Sequence, residues 1–139
     1  MKVKDVMHKG TTCVEPSTPI KEIARRMRDG DIGAIPVKAD GHLVGIVTDR
    51  DITCRALAEG GNAAKMTAQD VMTKDVVCCS PDDDVEVVIE VMEAKQVRRL
   101  PVTDSHKTMI GMLSLGDISH KVSKALSGEV LRAVSGHHV

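Results

Sequence analysis

Two short stretches carry side chains spaced for chemistry, Thr48-Asp49-Arg50-Asp51 and Ser114-Leu115-Gly116-Asp117. In each, a hydroxyl and a carboxylate stand three residues apart, the S/T-x-x-D spacing that opens a helix by satisfying its free N–H groups. At a strand-to-helix junction the same groups have a second use. Two adjacent ribose hydroxyls need an acceptor such as a carboxylate, and a helix N-terminus favours phosphate. Arg50 adds a charge-assisted phosphate contact in the first stretch, where the second has Gly116. Helix capping and ligand binding call on the same atoms, and both readings stand.

The remaining reactive side chains form no pattern of their own. Cys13, Cys54, Cys78 and Cys79 make no CxxC pair, and none of the six histidines (His8, His42, His106, His120, His137, His138) sits at ligand spacing from them. The cysteines therefore read as small buried hydrophobes, and no metal site is expected. Cys78 and Cys79 on one strand point to opposite faces, which opposes a disulfide between them. No G-x-S-x-G, P-loop, HExxH or Cys–His arrangement occurs, so an enzyme is not expected.

Composition narrows the partners. The chain has 139 residues, 42% apolar and 28% charged with a net charge of −1, so no global field favours nucleic acid or an anionic membrane. It contains no Phe, Tyr or Trp, so a bound base would rest on aliphatic walls and backbone hydrogen bonds rather than on stacked rings. The N-terminus MKVKDVMHK has no apolar h-region, and the longest uncharged apolar run, residues 109–116, is too short to span a bilayer. A cytoplasmic protein with reduced thiols is the expectation.

The elements that must position the two stretches come as a repeat. Asp5, Val6, Met7, Lys9, Cys13 and Pro16 recur 65 residues later as Asp70, Val71, Met72, Lys74, Cys78 and Pro81. Met27 recurs as Met92 and Pro36-Val37 as Pro101-Val102; one inserted residue then matches Gly45, Asp51 and Ile52 to Gly111, Asp117 and Ile118. Each copy predicts a short helical turn (Lys4–Met7 in the first), a strand near Thr11–Val14, and a helix starting near Thr18 with Pro19 in its first turn. Ile20, Ile23, Ala24 and Met27 form its apolar stripe and Gly30 its end; the second copy has Val85, Val88, Ile89 and Met92, with Asp83 and Glu86 as a capping-box-like pair. A hairpin around Asp40-Gly41 and a helix from about Asp49 to Ala58 follow, with 59–65 as linker. Val130, Leu131 and Val134 have helical spacing in the terminal segment. The order strand, helix, strand, strand, helix occurs twice, so the fold class is α+β. Two β-α-β-β-α halves, each too small to bury its sheet alone, are expected to pack about a pseudo-twofold axis.

The segments GAIPV…GHLVGIVTDRDI and VRRLPV…MIGMLSLGDI, each preceded by DVM…P and a helix, resemble paired CBS domains, the Bateman module. The resemblance spans about residues 3–126 and divides the chain into a first CBS domain (1–62), a second (63–126) and a tail (127–139). It implies an adenosine nucleotide or S-adenosylmethionine bound in clefts between the halves, no catalytic cofactor, and a dimer. It casts Asp51 and Asp117 as ribose-binding acids, with Thr48 and Ser114 as hydroxyl ligands. Ala34, Ile35, Pro36 and Val37, with Leu100, Pro101 and Val102, are similar to the strand that flanks the base. Arg98 and Arg99 resemble a phosphate-binding pair, and Thr12 and Val77 are implied near the base.

The expected function is a non-catalytic sensor that binds an adenosine nucleotide (AMP, ADP, ATP or S-adenosylmethionine) and signals to a separate, unknown protein. Neither nucleic acid nor membrane is an expected partner. The alternative is a structural dimer with an orphan, ligand-free cleft and a stress- or redox-related role, the redox chemistry running through Cys78 and Cys79. The copies differ: Arg50 is matched by Gly116, and Gly33-Ala34 by Arg98-Arg99. One cleft, with Thr48, Arg50 and Asp51 at its sugar and phosphate end, is therefore expected to bind tightly and the other weakly or not at all. Val87 and Val91 broaden the apolar stripe of the helix at 85–92 beyond what one sheet requires, which points to a homodimer.

Overall fold

The computed structural model describes residues 1–121 together with 124, 125, 128, 131 and 132. Val130 and Val134 of the expected terminal helix lie outside these. The described elements are α1 (Ile20–Gly30), β1 (Ala34–Ala39), β2 (His42–Thr48), α2 (Asp49–Asp51, continuing as a π-helix over Ile52–Leu57), α3 (Ala68–Val71), α4 (Val85–Lys95), β3 (Arg99–Thr103), β4 (Met109–Ser114) and α5 (Leu115–Lys121), with 3-10 turns at Val3–Asp5 and Ala63–Lys65. The class is α+β.

The chain divides into two compact units, Thr12–Val76 and Met1–Thr11 with Val77–Val139. In the first, β1 and β2 form an antiparallel hairpin, Val14 bridges to Val37 on one side, and Thr73 bridges to Ile46 on the other. In the second, β3 and β4 pair, Cys79 bridges to Val102, and His8 bridges to Met112. The opening turn of each repeat thus lies against the hairpin of the other repeat. Glycine makes this approach possible. A Cβ on Gly111 would stand 2.5 Å from the His8 carbonyl oxygen, and one on Gly45 would stand 2.6 Å from Met72 Sδ and 3.0 Å from the Thr73 carbonyl. The recurrence of glycine at these positions records a backbone contact.

The expected strand at 11–14 contracts to a single bridge. Val14 N–H donates to Pro36 O at 3.0 Å, and Lys38 N–H donates to Val14 O at 2.8 Å. The next bond of that parallel ladder would run from position 36 to the Thr12 carbonyl, but proline has no N–H. Pro101 has the same effect on the Val77 carbonyl beyond the Cys79 bridge.

Ile20, Ile23 and Met27 of α1 are buried, as are Val85, Val88, Ile89 and Met92 of α4. Ala24, expected in the stripe, is exposed. Full burial of a side chain such as Ile23 contributes about 1.5–3 kcal/mol, and each unit has its own aliphatic cluster. Pro19 is the N-cap of α1 rather than its first helical residue. Asp84 holds that place in α4, because the Asp83 carboxylate accepts from Ser80 N–H at 2.9 Å instead of pairing with Glu86. α1 ends at Gly30, with Asp31 rather than the glycine as its left-handed cap, and α4 ends at Lys95 with Gln96 in the same conformation. The first hairpin turns at Asp40 and Gly41, both with positive φ, the type I′ pattern. In the second, Asp104 accepts from His106 and Thr108 N–H, and this longer loop absorbs the inserted residue.

Candidate functional site

The two chemically marked stretches occupy equivalent junctions. β2 runs directly into α2, and β4 into α5. Asp51 N–H donates to Thr48 Oγ1 at 3.0 Å while Thr48 N–H donates to Asp51 Oδ2 at 2.9 Å; Ser114 and Asp117 repeat both bonds at the same distances. Both pairs are thus complete capping boxes. Capping engages only Oδ2 of each acid, and a carboxylate carries about four lone-pair sites. Oδ1 decides what more each acid does.

Around Asp51, Thr73 Oγ1 lies 3.4 Å from both carboxylate oxygens, and Arg55 Nε lies 3.9 Å from Oδ1. These are long contacts. The Arg55 Nη1 group instead donates to the carbonyls of Val71 and Met72 at 3.0 Å, closing the C-terminal end of α3. Around Asp117, His8 Nε2 lies 2.7 Å from Oδ1, an ion pair when the ring is protonated. Lys121 Nζ donates to Asp5 O at 3.0 Å, so it also reaches the opening turn of its unit, one residue before the carbonyls equivalent to those Arg55 holds. The repeat offset pairs His8 with Thr73 and Arg55 with Lys121, which is the one signal of them that the sequence carries. Their roles depend on the exchanged opening turns, which no local pattern marks.

The other candidate residues distribute between the units. Ala34 is the cross-strand partner of Thr48, and Arg99 is that of Ser114. The Gly33-Ala34 and Arg98-Arg99 contrast therefore lies beside the two capping hydroxyls. Arg98 and Arg99 are exposed, as is Arg50. Ile35 and Val37 of β1 and Leu100 and Val102 of β3 belong to the aliphatic clusters, so their side chains serve the core and only their backbone edges can meet a ligand; Pro36 and Pro101, between them, are buried as well. Thr12 is exposed and Val77 packs on its unit's core; each lies two residues before the bridging residue of its edge segment.

Among the described residues no three His, Cys, Asp or Glu side chains converge as metal ligands. Of the four cysteines expected to be buried only Cys79 is; Cys13 is half-buried and Cys54 and Cys78 are exposed, and Cys78 and Cys79 face opposite ways as alternation requires. Burial pushes the Cys79 thiol up to about 12, with the charges of Asp83 and Cys78 adding to the effect. Among the described residues no helix is long and apolar enough to cross a membrane.

A family model for the CBS domain matches residues 3–56 and 68–124. The CBS domain-containing protein YhcV of Bacillus subtilis (strain 168) is 33% identical over 138 residues, covering 99% of this chain and 97% of that protein. The crystal structure of Hypoxic Response Protein I with two coordinated zinc ions aligns with a TM-score of 0.80 at 32% identity, covering 88% of this chain and 100% of that one. The CBS domain pair of protein MJ0100, solved in complex with 5′-methylthioadenosine and S-adenosyl-L-methionine, aligns at 0.78 and 28% identity, covering 93% and 98%.

Proposed function

The chain belongs to the CBS-domain family, and from that premise we propose that it is a non-catalytic sensor of an adenosine nucleotide. The observation that carries this reading is the Asp51 site. Its carboxylate is tied down by Thr48 N–H through Oδ2 alone, and it keeps only long contacts at Oδ1. That oxygen is an acceptor held in place for a ribose diol, with the exposed Arg50 beside it for phosphate. The adenosine-containing ligands of the MJ0100 pair support the ligand class. AMP, ADP, ATP and S-adenosylmethionine all present this diol, and the phosphate contact favours the first three.

The sensor acts in the cytoplasm on a separate protein and works as a homodimer. Val87, 53% exposed on α4, supports self-association through that helix. The orphan-scaffold alternative is favoured by one observation, that both acids already work as helix caps.

Titration calorimetry with AMP on wild type and Asp51→Ala, beside a thermal melt of each, separates the readings. A sensor loses affinity in Asp51→Ala. A scaffold shows no AMP binding in wild type and only a lowered melting temperature in the variant. Because the chain has no Phe, Tyr or Trp, co-purified adenine would also dominate its near-ultraviolet spectrum.

A further inference from the structure

We infer that His8 is a built-in competitor for Asp117, so that a ribose diol must displace its imidazole before the second acid can bind. The inference rests on the reading of Asp51 and Asp117 as ribose acceptors. His8 and Thr73 hold the same backbone place. His8 exchanges N–H···O bonds with Met112 at 2.8 and 2.9 Å, and Thr73 exchanges them with Ile46 at 2.9 and 3.0 Å. Only the side chain differs, and it faces the acid in both units.

A hydroxyl 3.4 Å from both carboxylate oxygens turns away at little loss, because its hydrogen rotates and its contact is already weak. An imidazole nitrogen 2.7 Å from Oδ1 is a far shorter contact, on the oxygen that capping leaves over, and a proton on that nitrogen makes it charge-assisted. The backbone of His8 cannot close in further, since its carbonyl already lies where a Cβ on Gly111 would stand at 2.5 Å. Release therefore runs through side-chain rotation. The His8 side chain is 74% exposed and swings into solvent without repacking, whereas that of Asp117 is 10% exposed and stays. Arg99, across the ladder from Ser114, favours phosphate at this end. His8 opposes that attraction at the sugar.

The test isolates each acid. In the Asp51→Ala background, AMP binding reports on Asp117, and adding His8→Thr is expected to raise affinity about tenfold, the scale of one hydrogen bond to a charged group. In the Asp117→Ala background, adding Thr73→His is expected to lower AMP affinity by about the same factor. A merely structural role for His8 would not improve binding on its removal. The inference is overturned if AMP binds wild type through Asp51 while His8→Thr leaves binding at Asp117 unchanged or weaker. Absence of AMP binding in wild type and every variant, with melts showing folded protein, overturns the nucleotide reading and this inference with it. Without ligand, nitrogen-15 spectra of labelled histidines supply a second check. Asp117→Asn is expected to move the His8 ring signals and leave those of His42 and His106 in place; an unmoved His8 refutes the contact.

Discussion

The unit around Asp51 and the unit around Asp117 share a backbone and differ in what surrounds one carboxylate oxygen. Both acids close a capping box with equal bond lengths, and both junctions are backed by a bridge from the opposite repeat's opening turn. Yet Asp51 meets a distant hydroxyl and guanidinium, while Asp117 meets an imidazole at 2.7 Å. The scaffold is held by backbone bonds and glycine contacts that are indifferent to these side chains. Duplication can therefore keep the fold constant while the two sites diverge.

Removing each acid in turn separates the two units most strongly. Asp51→Ala is expected to cost about 1.5–3 kcal/mol of AMP affinity. Asp117→Ala is expected to change it little, since His8 already limits that site; calorimetry on both variants decides. If Asp117→Ala abolishes binding and Asp51→Ala spares it, the working site belongs to the other unit.

The shared scaffold comes next. Gly111→Ala is expected to destabilise the protein by about 1–3 kcal/mol, because the added Cβ meets backbone at His8 O. Gly45→Ala is expected to cost less, since its nearest obstacle is the mobile end of Met72. Denaturant midpoints of the two variants rank them, and equal losses would deny the difference.

A smaller contrast lies at Val14 and Cys79, equivalent residues of the two edge segments. With its thiol pushed up to about 12 by burial, Cys79 keeps its proton in the folded state where an unfolded thiol, ionising near 8.5, has lost it. The folded state then binds more protons, so stability falls as pH rises from about 8.5 toward 12. Cys79→Val, copying Val14, is expected to change stability near neutral pH by less than about 1.5 kcal/mol and to reduce the alkaline loss. Melts of both proteins at neutral pH and at about pH 10 measure it.

α1 and α4 differ in the charge of their exposed faces. The exposed face of α1 carries Lys21, Arg25 and Arg28, and that of α4 carries Glu86, Glu90 and Glu93. If self-association sets α1 of one copy on α4 of another, light scattering is expected to show it weakening modestly as salt is raised. A dimer unaffected by salt would place the contact on the apolar Val87 face alone.

Much of this protein was determined by its sequence. The 65-residue offset, the stripes at Ile20–Met27 and Val85–Met92, and the Asp40-Gly41 turn are local signals, set by periodicity and by which residues tolerate positive φ. The paired S/T-x-x-D junctions were equally legible, since a capping box is written within four residues. What Ala24 and the segment at 11–14 would do was not, because the width of a helix's buried stripe depends on which elements pack on it and the ladder stops where Pro36 lacks a donor. Tertiary structure alone decided that each opening turn joins the other repeat's hairpin. That exchange brings His8, 109 residues away in sequence, onto Asp117. No spacing rule reaches so far: a contact between distant residues is fixed by which backbone edges pair, and only then does the side chain at that place acquire its chemistry.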